Sequence, residues 1–271
     1  MAEAEVLYDT SEGIATVTLN RPDRLNAWNG GIGRGVRESM QRAQADDDVK
    51  VIILTGAGRG FCAGADMNSL SDLSANGGEA RDTETLPFDP DARPDFQHPM
   101  SWLPSVGKPI IAAINGPVAG MGLAFSLFCD MRFASETAVF MSAFSRRGLI
   151  AEHGTAWMLS RLVGHSRALD IMLSSRRVSG EEAYRIGLAD RVFPADVLMA
   201  ETRAYAKDIA DNVSPRSTRV MKRQIWDALI VDLKESMDVA DEEMALSLKG
   251  EDFREGVAHF LEKRPPRFTG R

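Results

Sequence analysis

Two apolar runs, each followed by a turn of small residues, dominate the pattern along the chain. The first, residues 51–56 (VIILTG), leads into FCAGADM at 61–67, and the second, residues 110–114 (IIAAI), leads into NGPVAGMG at 115–122. Both runs lack polar alternation, which predicts strands buried on both faces. A tight turn before a helix can direct free backbone N–H groups at an anionic oxygen. The pair therefore predicts an oxyanion hole made by two loops, suited to the thioester oxygen of an acyl carrier.

The pattern elsewhere predicts further strands and helices around these two runs. Strands are predicted at 14–19, 131–134 and 138–140, and helices at about 32–45, 67–73, 123–129 and 154–162. Residues 75–99 are rich in Gly, Pro, Asp and Glu. A loop of that length inside a domain is either a solvated surface insertion or functional, here a flap over the substrate tail. Both interpretations stay open.

The last part of the chain is predicted to be mainly helical. Ser179 and Glu182 have the spacing of a capping box, and Ser214 precedes a proline suited to the first helical position. One apolar stripe recurs at spacings of 3 or 4, typical of a packed helix face; its members are Leu233, Met237, Ala240, Met244 and Leu248. These patterns predict an α/β core over residues 1–195, followed by a helical region over 196–271, in one integrated domain.

Composition and charge narrow the functional classes. The 271 residues carry a net charge of -7, which argues against nucleic-acid binding. Two cysteines make no disulfide framework, and the acidic start has no apolar signal core, so a cytoplasmic protein is expected. Residues 110–129 are uncharged but are broken by Asn-Gly-Pro, so no membrane span is expected. The four histidines have no metal-ligand spacing, and no metal is expected.

A series of short motifs in a fixed order carries a family resemblance. They are LNRP at 19–22, LNA at 25–27, GFCAGADM at 60–67, KPIIAAING at 108–116, CD at 129–130, RLVG at 161–164, EA at 182–183, GL at 187–188 and FLEKR at 260–264. With these motifs the chain resembles the crotonase, or enoyl-CoA hydratase/isomerase, superfamily. The resemblance implies a spiral of ββα units with a C-terminal helical trimerisation region, assembled as a trimer or a dimer of trimers. It also implies an acyl-CoA substrate, of which coenzyme A is part, and no separate cofactor.

The resemblance also implies site residues. By position, the enolate oxygen would be held by the backbone N–H groups of Ala65 and Met121. Family members often have glycine in place of Met121, but methionine keeps the backbone donor. The positions implied for coenzyme A are Arg24, Ala63, Ala65, Asp66, Phe260 and Lys263. Of these, the tail residues Phe260 and Lys263 would reach the ligand of a neighbouring subunit.

The chain differs from hydratases of the family at the two positions that carry their acid–base groups. Hydratases of the family use two glutamates that hold a water molecule, and the corresponding positions here are Ala124 and Phe144. Two-glutamate hydration is therefore not expected. Some isomerases of the family carry Asp or Glu at the position of Glu152, which precedes a predicted helix. Glu152 is expected to transfer protons, with helix capping as the alternative.

A single carboxylate suits migration of a double bond, so a Δ3–Δ2-enoyl-CoA isomerase is the leading hypothesis. A hydratase that pairs Glu152 with another group and a non-catalytic acyl-CoA-binding protein are the alternatives. Trp102, Phe144 and Trp157 are candidates for the acyl pocket. His153 is expected to be a surface or structural residue, because neighbouring side chains in a turn often point apart. Cys62 is expected to serve packing.

Overall fold

A computed structural model describes residues 4–77 and 87–271 of the chain. The strands are, in order, β1 (Val6–Ser11), β2 (Ile14–Leu19), β3 (Val51–Gly56), β4 (Ile110–Ile114), β5 (Val118–Ala119), β6 (Met131–Ser135), β7 (Val139–Met141), β8 (Val178–Ser179) and β9 (Arg191–Phe193). The helices are α1 (Gly30–Ala45), α2 (Met67–Ala75), α3 (Met121–Leu127), α4 (Thr155–Val163), α5 (His165–Ser174), α6 (Gly180–Ile186), α7 (Leu198–Asn212), α8 (Pro215–Asp227), α9 (Leu233–Ser247) and α10 (Glu251–Glu262).

The strands form two sheets that carry the two turns of interest. The larger sheet has the order β1-β2-β3-β4-β6-β9, and all its neighbours are parallel except β1 and β2. The smaller sheet has the order β5-β7-β8, with β5 parallel to β7. Because β3 and β4 are parallel neighbours, their carboxyl ends lie at the same edge of the sheet. The turns that follow them therefore start side by side.

The larger sheet is buried on both faces, as the apolar runs predict. Ile52 and Leu54 of β3 belong to the main core, with α1 and α3 packed against the same side. Val51 and Ile53 face a second, smaller core that α7 closes with Leu198 and other residues. Because successive residues of β3 face two different cores, its sequence is apolar from Val51 to Leu54, and the hydroxyl of the buried Thr55 donates to the Ala113 carbonyl oxygen at 2.9 Å. Burial on both faces makes the sheet a rigid base for the loops at its edge.

The helical region after β9 is attached to the core by a buried ion pair. Asp130, at the start of β6, accepts hydrogen bonds from the Ile110 amide at 2.7 Å and from the Trp226 indole at 2.8 Å. The Lys222 ammonium lies 2.8 Å from the same carboxylate. Lys222 and Trp226 both belong to α8, so this network fixes α8 against the sheet. The domain boundary at 195/196 stays a prediction.

The structure confirms the two predicted helix caps and describes only part of the segment 75–99. Ser179 caps α6 and Ser214 caps α8, each accepting a backbone N–H in the first turn of its helix. Within the segment 75–99, a short 3-10 helix spans Pro94–Phe96, and residues 78–86 lie outside the described part. The flap interpretation therefore stays a prediction. In the described ranges, every helix is too short or too polar to cross a bilayer.

Candidate active site

The two turns predicted to form an oxyanion hole run side by side. Cys62 and Val118 form a parallel bridge, in which the Pro117 carbonyl accepts the Cys62 amide at 3.2 Å and the Cys62 carbonyl accepts the Ala119 amide at 2.9 Å. Ala65 lies three residues after Cys62, and Met121 lies three residues after Val118. The parallel register therefore brings these two residues to the same point of the fold.

Two glycines let the turns approach closely. Gly64 has φ 103° and Gly120 has φ 49°, conformations that residues with a Cβ rarely adopt. A Cβ on Gly64 would lie 3.1 Å from the Ala119 carbonyl oxygen, and one on Gly120 would lie 3.6 Å from the Gly64 Cα. Each glycine immediately precedes one of the two predicted donors. The backbone of both donors is therefore aimed by a glycine in the neighbouring position.

Both predicted donors have an amide available for a ligand. Around Ala65, the Trp28 amide donates to Gly64 and the Asp66 amide donates to Trp28, so the Ala65 amide faces away from Trp28. No residue of the described part accepts a hydrogen bond from it. Met121 is the first residue of α3, where an amide has no intrahelical partner; the first helical bond there runs from Ala124 to Gly120. The arrangement can hold an anionic oxygen between two N–H groups.

Polar side chains hold the loops in place. Asn26 donates to the carbonyl oxygens of Ala57 and Gly60 at 3.0 and 2.8 Å. Asn115 donates to Gly56 at 2.9 Å and to Gly58 at 3.1 Å. Both asparagines lie in motifs that the family resemblance uses, LNA and AING, but their supporting role is visible only in three dimensions.

Asp66, a predicted coenzyme A position, already has partners. Its carboxylate caps α2 by accepting the Asn68 amide at 3.0 Å, and it pairs with Arg21 at 2.8 Å. The hydrogen bond from Arg21 is the main reason why the pKa of Asp66 lies below its ordinary value. Arg24 is exposed nearby and contributes to the same lowering. Ala63 and Ala65 are partly exposed beside these charged groups.

Ala124 and Phe144, where the family resemblance implies the glutamates of hydratases, lie in the core. Ala124 is fully buried in α3, and Phe144 is 5% exposed, just before a 3-10 helix at Ser145–Arg147. Neither side chain can bind a proton or orient water by a hydrogen bond.

Glu152 lies in the turn before α4, and its main chain is tightly held. The Thr155 amide and hydroxyl both donate to the Glu152 carbonyl oxygen, at 2.9 and 2.6 Å. The hydrogen bonds at the start of α4 therefore use this carbonyl rather than the carboxylate, which argues against the capping alternative. The Glu152 carboxylate instead lies 3.3 Å from Nε2 of His153. The expectation that the two side chains point apart is wrong.

The turn carrying Glu152 packs on the far end of α3. A Cβ on Gly154 would lie 2.9 Å from the Phe128 ring, and Phe128 ends the helix that Met121 begins. A cavity of about 710 Å³ opens beside this contact. Its wall combines apolar and titratable side chains, among them Met100, Phe128, His153, Trp157 and Arg161.

The aromatic pocket candidates have different environments. Trp157 lines the cavity, with the Arg161 guanidinium 3.9 Å from its ring centroid. Trp102 is 4% exposed and stacks on Phe88 at 4.8 Å, and Phe144 is similarly buried. In this arrangement Trp157 is the candidate that faces open space.

The tail candidates lie far along the chain, at the end of α10. Phe260 is 77% exposed, and Lys263, also exposed, ends the helix in a left-handed conformation. Both side chains are therefore accessible, which a contact with a neighbouring subunit would require. Their role stays a prediction.

Two other observations limit the chemistry of the site. Burial raises the pKa of the Cys62 thiol to about 11, so it is protonated at neutral pH, as expected of a packing residue. Among residues 4–77 and 87–271, no cluster of three or more His, Cys, Asp or Glu side chains could hold a metal ion.

Comparisons with known proteins agree with this geometry. The family model described as enoyl-CoA hydratase/isomerase matches residues 9–271. The 1,2-epoxyphenylacetyl-CoA isomerase of Escherichia coli K12 is 34% identical over 98% of both chains. The probable enoyl-CoA hydratase of Rhodobacter capsulatus is 35% identical over 100% of both. The crystal structure of a probable enoyl-CoA hydratase/isomerase from Mycobacterium abscessus superposes with a TM-score of 0.86 and 30% identity, covering 98% of this chain and 99% of the other. This likeness confirms the predicted α/β fold.

Proposed function

Because the chain belongs to the enoyl-CoA hydratase/isomerase family, we propose that it is a Δ3–Δ2-enoyl-CoA isomerase with Glu152 as its proton shuttle. One observation carries the proposal: paired backbone donors at Ala65 and Met121 accompany a carboxylate at Glu152, while both hydratase positions are apolar. The paired N–H groups suit the oxygen of an enolate. The apolar side chains of Ala124 and Phe144 leave no carboxylates at those positions to hold water.

The reaction follows from these groups. Glu152 removes a proton from C2 of a 3-enoyl thioester, and the electron pair moves onto the thioester oxygen to give a dienolate. The amides of Ala65 and Met121 stabilise the negative charge on that oxygen. The protonated Glu152 then delivers its proton to C4, and the double bond ends between C2 and C3. One acid–base group is sufficient, because the group that takes a proton from C2 also delivers one to C4.

Binding of the substrate is assigned to the first turn and the tail. Arg24, Ala63, Ala65 and Asp66 form a strip beside the proposed oxyanion hole and would meet the coenzyme A part. The proposed assembly is a homotrimer or a dimer of trimers in the cytoplasm, in which Phe260 and Lys263 reach a neighbouring subunit. Exposed apolar side chains on α9 and α10 support an assembly; they are Leu233, Met237, Met244, Leu248, Phe253, Val257, Phe260 and Leu261.

A hydratase is the second candidate function. The relative from Rhodobacter capsulatus carries the name of a probable enoyl-CoA hydratase, and His153 provides a second proton-binding group in contact with Glu152. Addition of water needs one group to act on oxygen and another on carbon, which this pair offers. The acyl chain would occupy the cavity beside Trp157 in either reaction.

Product analysis separates these functions. The protein is incubated with a 3-enoyl-CoA, and the position of the double bond in the product is determined by NMR. The isomerase predicts a conjugated product of unchanged mass, lost in Glu152→Gln. A mass gain of one water from 2-enoyl-CoA would favour the hydratase. Binding without turnover in either assay would contradict both and indicate a non-catalytic acyl-CoA-binding protein.

A further inference from the structure

His153 has an unusual backbone conformation. Its φ is 55°, and Gly154 follows with φ 72°, so two successive residues are left-handed. Positive φ is uncommon for residues with a side chain, although histidine adopts it more readily than most. Such conformations persist where the surroundings hold them, and they are frequent at functional sites.

The surroundings of His153 hold this conformation from both sides. Thr155, which is fully buried, binds the Glu152 carbonyl oxygen with its amide and its hydroxyl. On the other side, Gly154 lies against the Phe128 ring, where even a Cβ would be 2.9 Å from a ring carbon. The turn therefore has little backbone freedom, which fixes the direction in which the His153 side chain leaves the chain.

This direction brings the His153 ring onto the Glu152 carboxylate. The atoms in contact are Nε2 and Oε2, 3.3 Å apart, and the two side chains are 32% and 30% exposed. The contact uses one carboxylate oxygen and leaves Oε1 for another partner. His153 also lines the cavity of about 710 Å³, so the partner of Glu152 in this contact borders space that a ligand can enter.

We infer that His153 is a positioning residue for Glu152: its ring, with Nε2 3.3 Å from Oε2, restricts the carboxylate and leaves Oε1 as the base. This inference rests on the proposed function, since it assigns Glu152 the proton transfer. The contact with the ring would favour one rotamer of the carboxylate. The proton from C2 would then bind to Oε1 and leave from the same atom.

The charge state of His153 decides whether it can act in this way. An imidazolium would stabilise the Glu152 anion and reduce its affinity for the substrate proton. Burial holds the pKa of His153 below its ordinary value, and the Glu152 carboxylate opposes this effect in part. The other charged or titratable groups on the cavity wall are Asp95 and His98 from the segment before β4 and Arg161 from α4. Burial therefore favours the neutral imidazole over the imidazolium at this position.

The contact can be tested without turnover. The ring resonances of His153, assigned by their loss in His153→Gln, are titrated by NMR in the wild type and in Glu152→Gln. Removing the carboxylate takes away a charge that stabilises the imidazolium, so the midpoint of His153 should fall. His165, exposed at the start of α5, is the internal control and should not move. An unchanged midpoint for His153 would show that the two groups do not interact and would overturn the inference.

Kinetics test the positioning role. His153→Phe should lower kcat by roughly 10- to 100-fold with little change in KM, because a small misplacement of a catalytic group has effects of that size. His153→Gln keeps a side-chain donor and should recover most of the activity. In the wild type, protonation of His153 would place an imidazolium against the Glu152 carboxylate and lower kcat. The kcat profile of His153→Gln should lack that step.

The outcomes separate this inference from the proposed function. If His153→Phe and His153→Gln match the wild type in kcat and pH profile, with Glu152→Gln inactive, the isomerase stands and the role of His153 is wrong. If the wild type itself does not move the double bond, the proposed function fails, and the NMR titration still decides whether the contact exists. His165→Gln controls for loss of a histidine. Thermal unfolding of each variant shows whether it is folded.

Discussion

Replacing Met121 with proline removes one proposed oxyanion donor and little else. Met121 is the first residue of α3, and its amide makes no helical hydrogen bond. Proline is well tolerated at this position, because its fixed φ suits the first turn and the missing N–H is not needed by the helix. Met121→Ala is the matched control, since it also loses the partly buried methionine side chain but keeps the amide.

The expected loss follows from the number of donors. With two N–H groups on the developing oxyanion, removing one is expected to cost about 2.7–4 kcal/mol of transition-state stabilisation, or a 10²- to 10³-fold fall in kcat. The ring of proline would also occupy the space into which the amide points. Met121→Ala should stay near the wild type.

The assay follows formation of conjugated enoyl thioester from 3-enoyl-CoA, with thermal unfolding measured in parallel. The two variants should unfold at similar temperatures and differ strongly in kcat. Equal kcat values in two folded variants would refute the assignment of the Met121 amide as a donor.

Three further predictions concern the turns, the attachment of α8 and acid stability. Gly64→Ala should reduce kcat as well as stability, because the added Cβ lies 3.1 Å from the Ala119 carbonyl oxygen. In Gly164→Ala the added Cβ has no atom within 4 Å, so this variant should lose only stability, about 1–3 kcal/mol by denaturant unfolding. Lys222→Met should destabilise the fold by about 3–5 kcal/mol in the same assay, since it leaves the Asp130 carboxylate largely buried without its cation, and adding Asp130→Asn should recover part of that loss. Hydrogen bonds from Arg264 lower the pKa of Glu255 from 4.5 to about 2. The ionised Glu255 therefore stabilises the fold above pH 4.5, and this stabilisation is lost as the pH falls toward 2. The difference in unfolding free energy between the wild type and Glu255→Gln should shrink over that range.

The central strands could be predicted from sequence because they are buried and mostly apolar. β2, β3 and β4 lie where the apolar runs indicate; β3 and β4 are buried throughout, and the partly exposed positions of β2 are threonines, which suit a strand. The edge strand β1 was not predicted, since most of its residues are exposed and show little apolar pattern. The two-residue strands β5 and β8 are too short to leave any periodic signal.

Sequence motifs predict the turns of the candidate site but not the contacts between its side chains. The small-residue turns indicate an oxyanion hole made by two loops, and the family resemblance implies Ala65 and Met121 as its donors. The contact between Glu152 and His153 depends on the left-handed φ of His153, which its residue type does not reveal. The stripe on α9 is expected to pack, but Leu233 and Met237 are exposed, because a periodic apolar pattern marks a face of a helix without showing what covers it.

Exchange of the C2 proton tests the central claim most directly. The protein is incubated with 3-enoyl-CoA in D2O, and deuterium at C2 and C4 is followed by NMR and mass in the wild type and in Glu152→Gln. A general base contributes roughly 10²- to 10⁴-fold, so the wild type should move the double bond and label the substrate far faster than the variant. If both proteins act at the same rate, or neither removes the C2 proton, Glu152 is not the base and the account is wrong.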